Sequence, residues 1–394
     1  MLQAKTDITI FGGGIAGLWT LARLRQAGFS AVLFESKALG GVQTIASQGI
    51  IHGGAKYALS GNLTASARTI GEMPRVWREC LEGRGELDLR RVKVLCEHQY
   101  LWSTTSLISR MAGFFAGKAM RSRMTQVEPA DRPEPFQHPE FGGTLYRLEE
   151  QVLDIASLVA ELARQLGEYC YRVEQDGVAL ELQTDGTSLI KIPRHQVELQ
   201  SKRLVLTGGK GNAALLKLLG RDHPAMQLRP LHMAVVKGDL PPMFAHCLGS
   251  GTTPRITVTS CPTSDGHMAW YLGGQVAESG VERTPSQQIA QAKQELAEVL
   301  PWIDISAANW STLRIDRAEA KTTGGLRPDS YNLNDSSGVI TAWPTKLAFA
   351  PRLAQEIQVA LERDGIRPEP GSLVGLDNLP RPAVALPPWE IERE

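Results

Sequence analysis

Apolar positions near the start of the chain switch from one period to another and back. Asp7-Ile8-Thr9-Ile10-Phe11 reads as a short buried strand, Leu18 to Ala27 as a helix, and Ala31-Val32-Leu33-Phe34 as a second buried strand ending at Glu35. Short apolar runs flanking a helical pattern are the mark of a βαβ unit and hence of a parallel sheet. Helical spacing returns over residues 151–166. Tyr169 to Val173, Val178 to Leu182 and Leu189 to Ile192 then read as short strands, parted by Asp176-Gly177 and Asp185-Gly186. Arg203 to Gly209 is a further buried strand ending in glycines, followed by a helix from Ala213 to Leu219. Gly338 to Trp343 is a strand that leads into a helix through Leu347 to Arg363.

Between these blocks the pattern changes. Ile256-Thr-Val-Thr-Ser and Met268-Ala-Trp-Tyr-Leu alternate apolar with polar residues, which predicts an antiparallel sheet, and a helix from Ser286 to Leu300 stops at Pro301. The expected division is a discontinuous nucleotide-binding domain from 1–70, 151–215 and 321–394, with a substrate or cap domain from 71–150 and 216–320. The proline-rich tail Leu379 to Glu390 is expected to run extended over the surface.

The turn after the first strand carries Gly12, Gly14 and Gly17 in the GxGxxG spacing. Gly12 permits the tight turn, Gly14 removes a side chain that would block a pyrophosphate, and Gly17 lets helix and strand approach. The helix start around Ile15 and Ala16 offers free N–H groups and a partial positive charge to phosphates. Glu35 is placed to accept hydrogen bonds from a ribose and would repel a 2′-phosphate, which argues against NADP.

Composition adds mainly exclusions. The 42 basic and 42 acidic residues cancel, so no nucleic-acid partner is implied. Only Met1 to Thr6 precede the first strand, which leaves no room for a signal peptide, and no apolar run reaches the roughly 20 residues needed to span a bilayer. Cys80, Cys96, Cys170, Cys247 and Cys261 are scattered without a CxxC pair, so they read as reduced packing thiols of a cytoplasmic protein with no metal site.

The stretch Gly40 to Leu59, rich in glycine and small residues, resembles the flavin-contacting segment of the glutathione-reductase-like flavoproteins. More narrowly, the chain resembles the FAD-dependent D-amino-acid-oxidase-like, glycerol-3-phosphate dehydrogenase and L-2-hydroxyglutarate oxidase group. Ile51-His52-Gly53-Gly54-Ala55-Lys56-Tyr57 is similar to the Ile-His-Gly-Gly-Leu-Arg-Tyr segment of the glycerol-phosphate branch. Leu206-Thr207-Gly208-Gly209 resembles a second FAD-contacting strand end, and Trp343 to Pro351 the last strand-to-helix turn. Lys56 replaces that branch's arginine, and Pro344-Thr345 replaces a glycine pair; both departures fall near the expected substrate.

The resemblance implies an α/β fold: a glutathione-reductase-like Rossmann FAD-binding domain with an inserted α+β substrate domain built on an antiparallel sheet. It implies non-covalent FAD held by Gly12, Gly14, Ile15, Ala16, Gly17, Glu35, Ser36, Gly41, Thr44, Ser47, Val173, Gly208, Gly209, Thr345, Lys346 and Leu347. It gives three residues candidate catalytic roles: His52 beside the flavin ring, Arg327 on the substrate's anionic group, and Lys346 against the flavin. The chemistry suits them. Histidine near its ordinary pKa of about 6.5 takes a hydroxyl proton at neutral pH. Arginine grips a carboxylate or phosphate bidentately, and a cation beside helix N–H groups stabilises charge on reduced flavin. Equally, Arg327-Pro328 reads as a turn with a solvated arginine, and Lys346 as a charged residue at a helix start.

The expected function is oxidation of a small anionic CH–OH substrate, a 2-hydroxy acid or polyol phosphate, with oxygen or a quinone as electron acceptor. The alternatives are an amino-acid or amine oxidase on the same scaffold and a non-catalytic flavin-binding partner protein. Residues 107–123 carry four basic and no acidic residues; they read either as a peripheral membrane contact or as a cap or dimer helix. Arg314, Asp316, Arg317 and Glu319 read as an ion-paired face.

Overall fold

A computed structural model describes residues 2–54, 65–104, 124–249 and 253–391. Two eight-stranded sheets organise them. In the first, Leu2–Phe11 is central, with Val197–Leu206 parallel on one side and Ala31–Glu35 parallel on the other; Cys170–Arg172 pairs with Ala31–Glu35. The antiparallel strands Ala179–Leu182 and Ser188–Ile192 flank the first half of Val197–Leu206, and Val339–Trp343 lies parallel to its second half. The chain leaves Leu2–Phe11 to one side and returns on the other. The carboxyl ends of the parallel strands therefore meet at one rim, where open α/β sheets bind ligands.

Burial explains the apolar runs. Ala31 and Leu33 pack with Leu18, Leu21, Val159 and Leu353 of the helices Ile15–Gln26, Ile155–Leu166 and Ala350–Arg363. Val32 and Phe34 pack on the opposite side with Leu180, Ile190 and Leu199. A strand buried on both faces needs an apolar residue at every position. The first strand starts at Leu2, ahead of the apolar run, because its alternating half pairs with Val197 to Ser201. The helix expected over 151–166 begins at Ile155: Asp154 caps it by accepting from the Ala156 N–H, and Val152–Leu153 forms a short strand instead.

The second sheet runs in the order Asn309–Ala320, Met226–Gly238, Met268–Gly273, Ile256–Pro262, Phe244–Cys247, Gln99–Ser103, Thr144–Leu148 and Met124–Gln126. One face is covered by the helix Pro285–Val299, whose Ala292, Leu296 and Val299 pack on Ala234, Val236, Trp270 and Leu272. A capping box of Thr284 and Gln287 starts that helix. Register puts Met233, Val235, Tyr271, Thr257 and His246 on the other face. That face turns toward residues 46–53: the Tyr271 hydroxyl donates to the Ala46 carbonyl at 3.0 Å, and the Gln48 amide donates to the Tyr271 carbonyl at 3.0 Å.

The tail is extended. Its Ala383–Val384 pairs in parallel with Ala38–Leu39, and Trp389 packs 5.7 Å from the Tyr271 ring. Ala55, Lys56 and Tyr57 and the segment 107–123 lie outside the described residues. No helix among the described residues is long and apolar enough to cross a membrane.

Candidate active site

The glycine turn is built by close backbone approach. Gly12 has φ +110°, and a Cβ there would fall 2.5 Å from the Gly208 Cα; a Cβ on Gly17 would fall 1.9 Å from the Gly12 carbonyl oxygen. Two strand ends, Phe11-Gly12 and Leu206-Gly208, therefore touch without side chains between them, joined by the Thr207 N–H donating to the Phe11 carbonyl at 2.8 Å. Gly14 precedes the helix Ile15–Gln26, which has no side-chain cap from that position. A Cβ on Gly14 would meet nothing closer than the Thr44 hydroxyl at 3.2 Å, so its other side is open. Thr44 accepts the Ile15 N–H at 3.0 Å and ties the small-residue segment to the helix start.

Glu35 ends the second strand against this turn: it accepts the Gly13 N–H at 2.6 Å and the Lys37 N–H at 2.8 Å, with the Ser36 hydroxyl 3.4 Å away. Val173 lies alongside, its N–H donating to the Glu35 carbonyl at 2.9 Å. Gly41 closes a turn on the Ala38 carbonyl at 3.1 Å. Gly208 is fixed by the Asn212 side chain, which accepts its N–H at 2.7 Å, and the Trp343 indole donates to the Gly209 carbonyl at 3.1 Å.

Two buried hydroxyls on this rim, Ser47 Oγ and Thr345 Oγ1, have no hydrogen-bond partner among the described residues. A buried hydroxyl without a partner costs free energy, so such atoms mark where a bound group supplies one. Thr345 also holds φ +60°, a strained conformation for a residue with a Cβ. Lys346 follows, 9% exposed, with Nζ 5.4 Å from the Phe349 ring centroid, and Leu347 opens the turn Leu347–Phe349 that leads into the last helix. Bare glycine backbone, an acidic strand end, a free helix start and orphaned hydroxyls together fit an FAD.

His52 does not stand alone. The Leu153 N–H donates to the Gly49 carbonyl at 3.0 Å and the Ile51 N–H to the Gln151 carbonyl at 2.8 Å, so residues 49–51 lie beside 151–153. This pairing carries Glu150 against His52 and Gly53. Its Oε2 lies 3.2 Å from His52 Nδ1, and its Oε1 accepts the Gly53 N–H at 2.8 Å. From the second sheet, His246 stacks near His52, with ring centroids 6.3 Å apart and planes 20° apart. Ligand atoms of His52, Glu150 and His246 all fall within 4.8 Å of one another.

Arg327 sits on an exposed turn after Thr323–Gly325, and its charge bears on Arg317. The charge run around Arg317 is largely paired. Arg229 grips the buried Glu319 through two bonds of 2.7 and 2.8 Å, Lys210 pairs with Asp316, and Arg317 lies 3.5 Å from Glu278. Arg317 itself is different. Burial and the adjacent Arg229 push its pKa down to about 10, the mark of a cation with too little compensation around it. Glu150, His246 and Arg317 were not singled out as site residues by sequence pattern. No local pattern marks Glu150, and only strand register places His246 over His52.

Comparison with known proteins places the chain in a family. A family model described as FAD dependent oxidoreductase, DAO, matches residues 7–349. The FAD-dependent oxidoreductase PA4991 of Pseudomonas aeruginosa is 50% identical over 389 residues, covering 98% of each chain. Its crystal structure superposes with a TM-score of 0.84 over 99% of this chain and 98% of that one, at 43% identity. At the level of fold alone, the chain is similar to glycine oxidase from Geobacillus kaustophilus, with a TM-score of 0.65 and 15% identity over 95% of this chain and 98% of that one. It is likewise similar to L-alpha-glycerophosphate oxidase from Mycoplasma pneumoniae with FAD bound, with a TM-score of 0.62 and 16% identity over 92% and 95%. The chain belongs to the DAO family of FAD-dependent oxidoreductases.

Proposed function

We propose that this protein oxidises a small anionic CH–OH substrate, a 2-hydroxy acid or a polyol phosphate, using non-covalently held FAD. One observation carries the reading: a buried carboxylate, Glu150, 3.2 Å from Nδ1 of an imidazole on the segment that follows the FAD turn. An alcohol hydroxyl gives up its proton reluctantly at neutral pH, so its oxidation benefits from a held base.

When bound, FAD supplies the acceptor for the hydride that leaves the substrate carbon. His52 takes the hydroxyl proton, and the substrate becomes a carbonyl compound. Arg327 holds the carboxylate or phosphate, and Arg317 adds a second positive charge beside it. Lys346 and the N–H groups at the start of the Leu347–Phe349 turn stabilise the negative charge that reduction brings. Gly12, Gly14, Gly208 and the start of Ile15–Gln26 hold the dinucleotide, with Glu35 on its ribose. Oxygen or a quinone is the final electron acceptor in this reading.

The similar protein named L-alpha-glycerophosphate oxidase supports a CH–OH donor. Those named glycine oxidase and iminodiacetate oxidase favour a second reading, oxidation of an amine or amino acid on the same scaffold. A neutral amine needs no strong base, and the Glu150–His52 pair is what tips the choice. Anaerobic bleaching of the flavin by panels of both substrate classes tests it. Acid precipitation tests the attachment: free FAD passes to the supernatant, and colour in the pellet overturns that part.

A further inference from the structure

Glu150 and His246 come from neither glycine motif nor flavin segment, yet both reach His52. We propose that Glu150 is a positioning residue that fixes His52 as the proton acceptor, with His246 facing the ring from the second sheet. The inference rests on the role proposed for His52.

The argument begins with cost. A carboxylate only 4% exposed is expensive to keep unless it is hydrogen-bonded and paired. Glu150 has both: the Gly53 N–H at 2.8 Å on Oε1 and His52 Nδ1 at 3.2 Å from Oε2. The first bond locks the carboxylate to the same turn that carries the imidazole, so the two groups move as one. A carboxylate only accepts, so Nδ1 carries a hydrogen, which leaves Nε2 as the basic nitrogen. His246 faces the ring from 6.3 Å between centroids, and it is itself held by the Thr257 hydroxyl 2.8 Å from its Nδ1. The array is drawn from the flavin segment, the connection after Thr144–Leu148, and Phe244–Cys247 of the second sheet.

In the step this serves, the substrate O–H bond breaks and its proton goes to His52 Nε2. The C–H bond breaks with both electrons as a hydride taken by FAD, and a C=O bond forms. Glu150 gains neither proton nor electrons; its charge stabilises the imidazolium. Among the described residues, the titratable groups placed against His52 are Glu150 and His246.

The test uses FAD-loaded protein with 15N-labelled histidine, the His52 signal being assigned by its loss in His52→Gln. Glu150→Gln keeps a hydrogen-bonding group and removes the charge. The expected result is a fall of about one pH unit in the His52 titration midpoint. Anaerobic flavin reduction slows about 100-fold, with substrate Kd changed less than about twofold and FAD content unaltered. Glu150→Asp, which withdraws the charge by one methylene, gives a midpoint between those of wild type and Glu150→Gln, so the test survives if the glutamine variant fails to fold. An unmoved midpoint in either variant overturns the proposal. Loss of FAD with no shift in midpoint also overturns it, making Glu150 a prop for the Gly53 turn. A stoichiometric transition metal that disappears in Glu150→Gln would assign the three side chains to an ion instead. If His52→Gln is reduced at the wild-type rate, the base role fails, while the midpoint still reports whether Glu150 and His52 are paired.

Discussion

Gly12 and Gly208 approach so closely that a Cβ on the first would lie 2.5 Å from the Cα of the second. The nucleotide rim is thus made by two strand ends in backbone contact, and no side chain at position 12 can be accommodated by rotamer change. Gly12 also holds φ +110°, which a residue with a Cβ adopts only under strain. Gly12→Ala is expected to cost about 3 kcal/mol and to give protein with little bound FAD. Gly211→Ala, where a Cβ meets nothing within 4 Å, is expected to leave both nearly unchanged. Thermal melts and the visible-to-ultraviolet absorbance ratio of the two variants check this.

Asp7 ties the first strand to the rest of its sheet. Its carboxylate lies 2.7 Å from Lys202 Nζ and accepts the N–H groups of Ser30 and Glu369 at 2.9 and 3.0 Å. Burial pushes the carboxyl up, but Lys202 and these N–H groups outweigh it and hold it below the ordinary value. Because the folded pKa lies below the unfolded value of about 3.9, the stabilisation is complete above that value. It is lost as pH falls through the folded pKa. Asp7→Asn is expected to cost about 3 kcal/mol at neutral pH, with the gap to wild type closing in acid below that folded pKa. Urea unfolding across pH measures the gap, and a constant gap down to the acid limit would contradict the assignment.

In the function proposed above, Arg317 and Arg327 hold the substrate's anionic group. Removing a charged hydrogen-bonding partner weakens binding by roughly 1.5–3 kcal/mol, so Arg327→Gln is expected to raise KM roughly tenfold or more. Arg317→Gln should raise it less, because Arg327 makes the direct grip and Arg317 only adds a second charge beside it. Steady-state kinetics with the best substrate of the panel separate KM from kcat. A drop in kcat with KM unchanged for both variants would move these arginines out of the substrate's reach.

The glycine turn, its flanking strands and the helix Ile15–Gln26 were legible in the sequence because local rules demand them. Only glycine fits where Gly12 meets Gly208, and only continuous apolar residues suit Ala31 to Phe34, buried on both faces. The alternation in Ile256 to Ser260 and Met268 to Leu272 likewise anticipated their antiparallel pairing. Glu150 was not legible. Its burial depends on residues 49–51 lying beside 151–153, a contact between segments about a hundred residues apart that leaves no local pattern. Arg317 was hidden by its neighbours: Asp316 and Glu319 are paired as the alternating charges suggest, and Arg317 is set apart by desolvation together with the adjacent Arg229, which no local pattern shows.

The most direct test of the account is anaerobic stopped-flow bleaching of the purified flavoprotein. Two panels are compared, 2-hydroxy acids with polyol phosphates, and amino acids with N-alkyl amino acids. The account predicts rapid bleaching by a member of the first panel, slowed about 100-fold in His52→Gln. Bleaching by the amine panel alone, at equal rates in wild type and His52→Gln, would contradict it.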